Sequence, residues 1–320
     1  MAIDFLSSEA HFADHLYPVW KALKDPGDFI LTTELVSTRI KRWEGSTPGT
    51  NDTSRPVLVA SYGDHKRARR QGRKRIARME HGAGQSYLGP QLNGSYAGGS
   101  DCSDIDLFLV PNEYSANLWR AAYPDMRVEI VGCPKLDSLP RKDAAEPRTV
   151  CISFHWDHGA IPEAGSAFET FRSALEPLRD AYNVIGHGHP RAWRGPPSLE
   201  KRYRRAGIEA VRDFDEVCRR ADVYITDNSS SLYEFAATGR PVVVMNSRSY
   251  RREVDHGLRF WSAIPGIQVD HPGALIEAVA RALQDPPELR KAREKALDLV
   301  YPIRSGAAEL AARALEDWAA

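Results

Sequence analysis

The 320-residue sequence predicts an α/β protein built as two doubly wound, parallel-sheet domains. Three observations carry that prediction. Short apolar runs of strand length alternate with longer, polar-faced segments. A polar, proline-bearing stretch over 135–148 divides the alternation into two sets. The segment Ala221–Met245 reads as strand, polar turn, short helix, strand, the repeating unit of such a sheet.

Along the chain, residues 1–45 show apolar pairs at helical spacing and are expected to be helical. Composition makes 46–56 a loop. Strands are expected at 57–62, 76–80, 106–110 and 128–132, with a helix over 112–122. The second set opens with a strand at 149–154, then a helix at about 163–180 and a strand at 182–186. After the 221–245 unit come a short strand at 267–269 and helices at about 273–284, 286–299 and 305–319. The expected domains are 1–140 and 148–302, with 303–320 packing back on the first and a ligand cleft between the two.

Composition narrows the class. Lys plus Arg and Asp plus Glu number 43 each, so the formal net charge is zero and nothing steers the whole molecule toward nucleic acid or an anionic membrane. No apolar run approaches the roughly 18–20 residues that span a bilayer. The early acids and the lack of an apolar core argue against a signal peptide. The four cysteines are scattered with no CxxC pair, which suits reduced thiols in a cytoplasm.

Four segments could carry chemistry. In the 221–245 unit, Asp227 and Asn228 lead into Ser229, Ser230 and Ser231 at a predicted helix start. Such a turn offers backbone N–H groups, hydroxyl donors and the positive end of a helix dipole to a phosphate. A serine N-cap without ligand is the plain alternative. His81, with Gly82, Gly84 and Gln85, follows the strand at 76–80 and is placed to take a proton from a hydroxyl. Gly186–Arg191 puts His187, His189 and Arg191 after another strand, where charge-assisted bonds would meet a phosphate. His155 and His158 could complete a zinc set with them, but no HExxH or cysteine spacing supports one. Gly132, Pro134 and Asp137 read as the turn into the linker. The basic run Lys66–Arg78 could bind nucleic acid; with Gly72 dividing it and no interleaved aromatics, a solvated helix face is the favoured reading.

Together these segments resemble the CDP-glycerol glycerophosphotransferases of the teichoic-acid polymerase type. The resemblance rests on His81-Gly82-Ala83, on Gly132, Pro134 and Asp137, on His189-Pro190, and on Thr226, Asp227, Ser229, Ser230 and Glu234. Ala83, Asn228 and Glu234 depart from the family's Thr, Tyr and Asp. The resemblance implies a GT-B fold, two Rossmann-like domains facing a central cleft. It implies a transferase moving a glycerophosphate or glycosyl group from a nucleotide-diphosphate donor, CDP-glycerol-like or a nucleotide sugar, to an acceptor hydroxyl. His81 would be the general base. His189, Arg191, Asp227, Ser229, Ser230, Ser231 and Glu234 would hold the donor, with Glu234 on the ribose and Asp227 chiefly shaping the turn. Gly82, Gly84, Gln85, His155 and His187 would support them. No metal or other cofactor is expected, and the acceptor is open among glycan, lipid-linked glycan, protein and nucleic acid. The alternatives are a nucleic-acid-modifying glycosyltransferase, an enzyme like the UDP-sugar 2-epimerases, and a non-catalytic nucleotide-binding protein.

Overall fold

The computed structural model describes residues 1–31, 43–48, 53–83, 102–143, 147–157, 165–194, 197–227, 229–247 and 263–320. The chain forms two compact units, Met1–Ser138 with Tyr301–Ala320, and Leu139–Val300.

The first unit is a seven-stranded parallel sheet. Its strands are β1 (Ile3–Ser7), β2 (Pro26–Leu31), β3 (Ser46–Pro48), β4 (Val57–Val59), β5 (Ile76–Met79), β6 (Leu107–Val110) and β7 (Arg127–Ile130), in the order β3-β2-β1-β4-β5-β6-β7. The winding reverses between β1 and β4, the position where such sheets bind ligands beyond their strand ends. The expectation of an all-helical N-terminus is corrected. Only Ala10–Ala22 is an α-helix among the described residues 1–31, and two strands flank it. All five residues of β1 are buried, so β1 has no polar/apolar alternation and its apolar run mimics a helix face. The expected loop at 46–56 likewise contains β3, a three-residue edge strand paired with β2.

Asp4 explains how a charge sits inside that central strand. Its carboxylate accepts from Arg73 Nη1 at 2.7 Å and from the Asp28 backbone N–H at 2.9 Å. Asp4 and Arg73 are both buried, so the pair neutralises two charges that neither could carry alone.

The returning helix Ala307–Ala319 joins the first unit's core. Ala311, Ala312, Leu315 and Trp318 cluster with Phe5, Leu16 and Leu58. The 132–137 element is the socket for this return. Gly132 has φ +82°, and a Cβ there would stand 2.9 Å from Ile303 Cβ. Pro134 opens a 3-10 turn, Pro134–Ser138, from which Asp137 Oδ2 accepts the Ala308 N–H at 2.8 Å. A carboxylate at the start of a helix satisfies an unpaired N–H and complements the dipole.

The second unit is a six-stranded parallel sheet of β8 (Thr149–Phe154), β9 (Asn183–Gly188), β10 (Glu209–Ala210), β11 (Val223–Thr226), β12 (Val242–Met245) and β13 (Ile267–Val269). Its order is β10-β9-β8-β11-β12-β13. The winding reverses between β8 and β11. The sequence leaves 190–220 unassigned; there the chain forms helices Leu199–Arg205 and Phe214–Arg220 around the short β10. The helix expected at 163–180 is broken, with α-helical pieces at Phe168–Phe171 and Leu175–Ala181.

Candidate active site

On the first unit, β5 ends at Met79, and Glu80 and His81 follow. Gly82, at φ +94°, turns the chain in the left-handed region that favours glycine. Asn112 Nδ2 donates to the Ala83 carbonyl at 3.4 Å, and Glu80 accepts from Ser115 Oγ at 2.6 Å, so the turn is braced from β6. His81 Nδ1 lies 2.6 Å from the Ala60 carbonyl oxygen, beyond the end of β4. A carbonyl only accepts, so Nδ1 carries the hydrogen, and in the neutral ring Nε2 holds the lone pair. Phe12 packs edge-on against the imidazole with centroids 4.5 Å apart, and His11 and His15 lie 6.0 and 6.5 Å away. Gly84 and Gln85 fall outside the described residues.

The basic run is largely spent on structure. Its cations divide between the helix Tyr62–Arg70 and residues 73–78, which lead into β5, on either side of Gly72. Arg73 is bound to Asp4. Arg75 donates to the Trp318 and Ala319 carbonyls and stacks on the Trp318 ring. Arg69 pairs with Asp104, and Arg78 lies over Phe108 and Trp119. A merely solvated face does not describe Arg73, which is buried.

On the second unit, the predicted site residues gather at the strand ends flanking the reversal. His155 follows β8, His189 follows β9, and Asp227 follows β11. Asp227 is fully buried; Oδ1 accepts the His155 N–H at 2.7 Å and Oδ2 the Ala167 N–H at 2.8 Å. That carboxylate ties three loops together. The His155 and His189 rings lie 4.7 Å apart, Trp156 is 6.0 Å from His189, and the Arg191 guanidinium sits 4.7 Å from the Trp156 ring centre.

His189 has the opposite tautomer to His81. Its Nδ1 accepts the Arg191 backbone N–H at 3.2 Å, so the ring hydrogen resides on Nε2. His187, expected among the supporting residues, is held within the sheet. It lies within β9 and is only 8% exposed, with Nδ1 3.2 Å from Ser153 Oγ and 3.3 Å from Tyr224 Oη. The flanking Gly186 is also required: a Cβ there would stand 2.6 Å from the Tyr203 ring.

Most backbone N–H groups of the serine turn are taken within the turn itself. The helix Ser231–Ala236 is short, and Ser230, at its N-cap, makes no side-chain capping bond. The N–H groups of Ser229, Leu232 and Tyr233 are taken by the carbonyls of Asp227, Ser229 and Ser230. The Ser231 N–H goes to Ser229 Oγ at 3.3 Å. The expected free N–H cradle is therefore absent among these groups, because the turn tightens into i→i−3 bonds. Glu234 is 3% exposed, set inside the fold. Asn228 and His158 lie outside the described residues. Among the described residues no group of three or more His, Cys, Asp or Glu side chains is placed to hold a metal ion. No helix of the described residues is long and apolar enough to cross a membrane.

This is the geometry on which the comparisons bear. Residues 156–312 match the family CDP-Glycerol:Poly(glycerophosphate) glycerophosphotransferase. The resemblance read from the motifs is thereby borne out, and the family is one of transferases. Among solved structures, the wall teichoic acid polymerase TagF soaked with CDPG aligns at TM-score 0.61 and 14% identity, over 99% of this chain and 87% of that one. UDP-GlcNAc 2-epimerase from Neisseria meningitidis, bound to UDP-GlcNAc, aligns at TM-score 0.60 and 12% identity, over 99% of each chain. The Methanocaldococcus jannaschii UDP-GlcNAc 2-epimerase, in complex with UDP-GlcNAc and UDP, aligns at TM-score 0.57 and 13% identity, again over 99% of each. These likenesses show the fold, which is GT-B, as expected. No curated protein matches the chain.

Proposed function

We propose that the protein is a transferase that moves a glycerophosphate group from a CDP-glycerol-like donor to an acceptor hydroxyl, without a metal. The observation that carries this is the pinned tautomer of His81: with Nδ1–H held by Ala60, Nε2 is the basic nitrogen. The acceptor oxygen attacks the outer phosphorus of the donor, an O–P bond forms, and the bond to the bridging oxygen breaks. CMP leaves, and the acceptor's proton passes to His81 Nε2. The second unit holds the donor. The Ser229 and Ser230 hydroxyls and the His189 Nε2–H supply hydrogens to the diphosphate, Ser231 supports Ser229 by donating to its Oγ, and Arg191 offsets charge growing on the leaving phosphate. Asp227 holds the turn in shape.

A second chemistry fits the same parts: attack at the anomeric carbon of a nucleotide sugar, with release of a nucleoside diphosphate. The family match over 156–312 favours the first. The test is product release from CDP-glycerol. CMP is the expected product, undiminished by EDTA; CDP release, or loss in EDTA restored by Mg²⁺, would contradict the reading.

A further inference from the structure

Beneath the serine turn a chain of polar side chains crosses the sheet. Ser231 Oγ donates to Ser229 Oγ at 2.7 Å, and Tyr224 Oη lies 2.9 Å from Ser231 Oγ. His187 Nδ1 lies 3.3 Å from Tyr224 Oη and 3.2 Å from Ser153 Oγ. Tyr224, Ser153 and His187 are all buried, and the Phe214 ring packs 5.6 Å from the imidazole.

Each hydroxyl has one hydrogen, so the direction of one link sets the direction of the next. The Ser231 hydrogen goes to Ser229, so the hydrogen between Ser231 and Tyr224 belongs to Tyr224. Tyr224 is then only an acceptor toward His187, and their contact requires a hydrogen on Nδ1. In this arrangement the Ser229 hydrogen is consumed nowhere in the chain. When Nδ1 instead carries a lone pair that Tyr224 rather than Ser153 fills, the order reverses: Tyr224 donates to His187, Ser231 to Tyr224, and Ser229 to Ser231. Every hydrogen then points into the sheet. Burial raises the Tyr224 phenol far above its ordinary value, so it remains a one-hydrogen link in both arrangements.

The difference matters because the backbone N–H groups of Ser229, Ser231, Leu232 and Tyr233 are already engaged. From Ser229 and Ser231, what is left to give an anion is a hydroxyl hydrogen. We propose that His187 and Tyr224 are positioning residues whose hydrogen order decides whether Ser229 presents a hydrogen or a lone pair to the donor's phosphate. The inference rests on the reading of this turn as the diphosphate site. It is reciprocal: anion binding favours the Nδ1–H form of His187, and that form favours anion binding.

The test uses the full chain, with ¹⁵N spectra of the His187 imidazole and calorimetric titration with CDP. Wild type with saturating CDP is expected to show donor-type Nδ1. Ser231→Ala removes the acceptor of the Tyr224 hydrogen, so Tyr224 turns to His187 and Nδ1 becomes acceptor-type. Tyr224→Phe touches no ligand, yet is expected to weaken CDP binding about tenfold, the scale of one lost hydrogen bond to a charged group. A lone pair on wild-type Nδ1 with CDP bound, an unchanged His187 signal in Ser231→Ala, or full CDP affinity in Tyr224→Phe would each overturn the proposal. Should Tyr224→Phe fail to fold, the Ser231→Ala spectrum decides. A wild-type chain that binds no CDP but whose His187 responds to Ser231→Ala keeps the wiring and removes the diphosphate reading instead.

Discussion

The two units share a winding order and differ in what they place at the reversal. In each, the first strand of the unit lies at the centre, the next two run to one side and the rest to the other. The first unit fixes its histidine, His81, through Nδ1–H to a carbonyl, leaving a basic Nε2. The second fixes His189 through a lone pair on Nδ1, leaving Nε2–H as a hydrogen donor. A backbone carbonyl at one Nδ1 and a backbone N–H at the other leave Nε2 with a lone pair in the first neutral ring and a hydrogen in the second. Topology sets where the chemistry sits, and the hydrogen-bond partner sets what it is.

The sharpest way to break this contrast is His81→Ala. Turnover is expected to fall roughly 10²–10⁴-fold, with CDP affinity unchanged by calorimetry. Normal turnover would remove His81 from the mechanism. The buried charges of the first unit give the next largest effect. Asp4→Ala leaves Arg73 buried and unpaired, and should cost about 3–5 kcal/mol in urea unfolding. A loss under 1 kcal/mol would mean that water reaches the pair. In the second unit Gly186→Ala drives a methyl group into Tyr203 and should cost about 1–3 kcal/mol. Unchanged stability would show that the helix Leu199–Arg205 yields.

Most of the strand pattern was legible in the sequence, because central parallel strands are short, apolar and punctuated. β8 falls on the expected residues, 149–154. β1 was not legible: its buried Asp4 breaks no alternation, and its partner Arg73 is 69 residues away. The serine turn was visible as a motif, but its spent N–H groups were not, since local i→i−3 bonding depends on how the turn closes. His187 looked like a partner of His189, since residues two apart share a strand face; but β9 ends at Gly188, so His187 is held within the sheet and His189 lies beyond it, which only the placed strand end reveals. Tyr224 gave no signal, because a tyrosine in an apolar strand reads as core.

The smallest predicted effect is electrostatic. Burial holds His65 below its ordinary pKa, against the opposing pull of Asp104. The unfolded chain therefore takes up this proton at a higher pH than the folded one. Stability falls as pH drops through about 6.5, by less than about 1.4 kcal/mol per pH unit for one proton. His65→Gln should flatten that part of the stability–pH curve; an unchanged slope would assign it to other groups.

In the proposed reaction the second unit holds a nucleotide-diphosphate donor. Thermal stability of the full chain against CDP-glycerol, CDP, CMP, UDP, UDP-N-acetylglucosamine and GDP-mannose tests it most directly, because a ligand that binds the folded state raises the melting temperature by mass action. The account predicts a selective rise with the cytidine diphosphates, diminished in Ser230→Ala. No shift with any of them would contradict it.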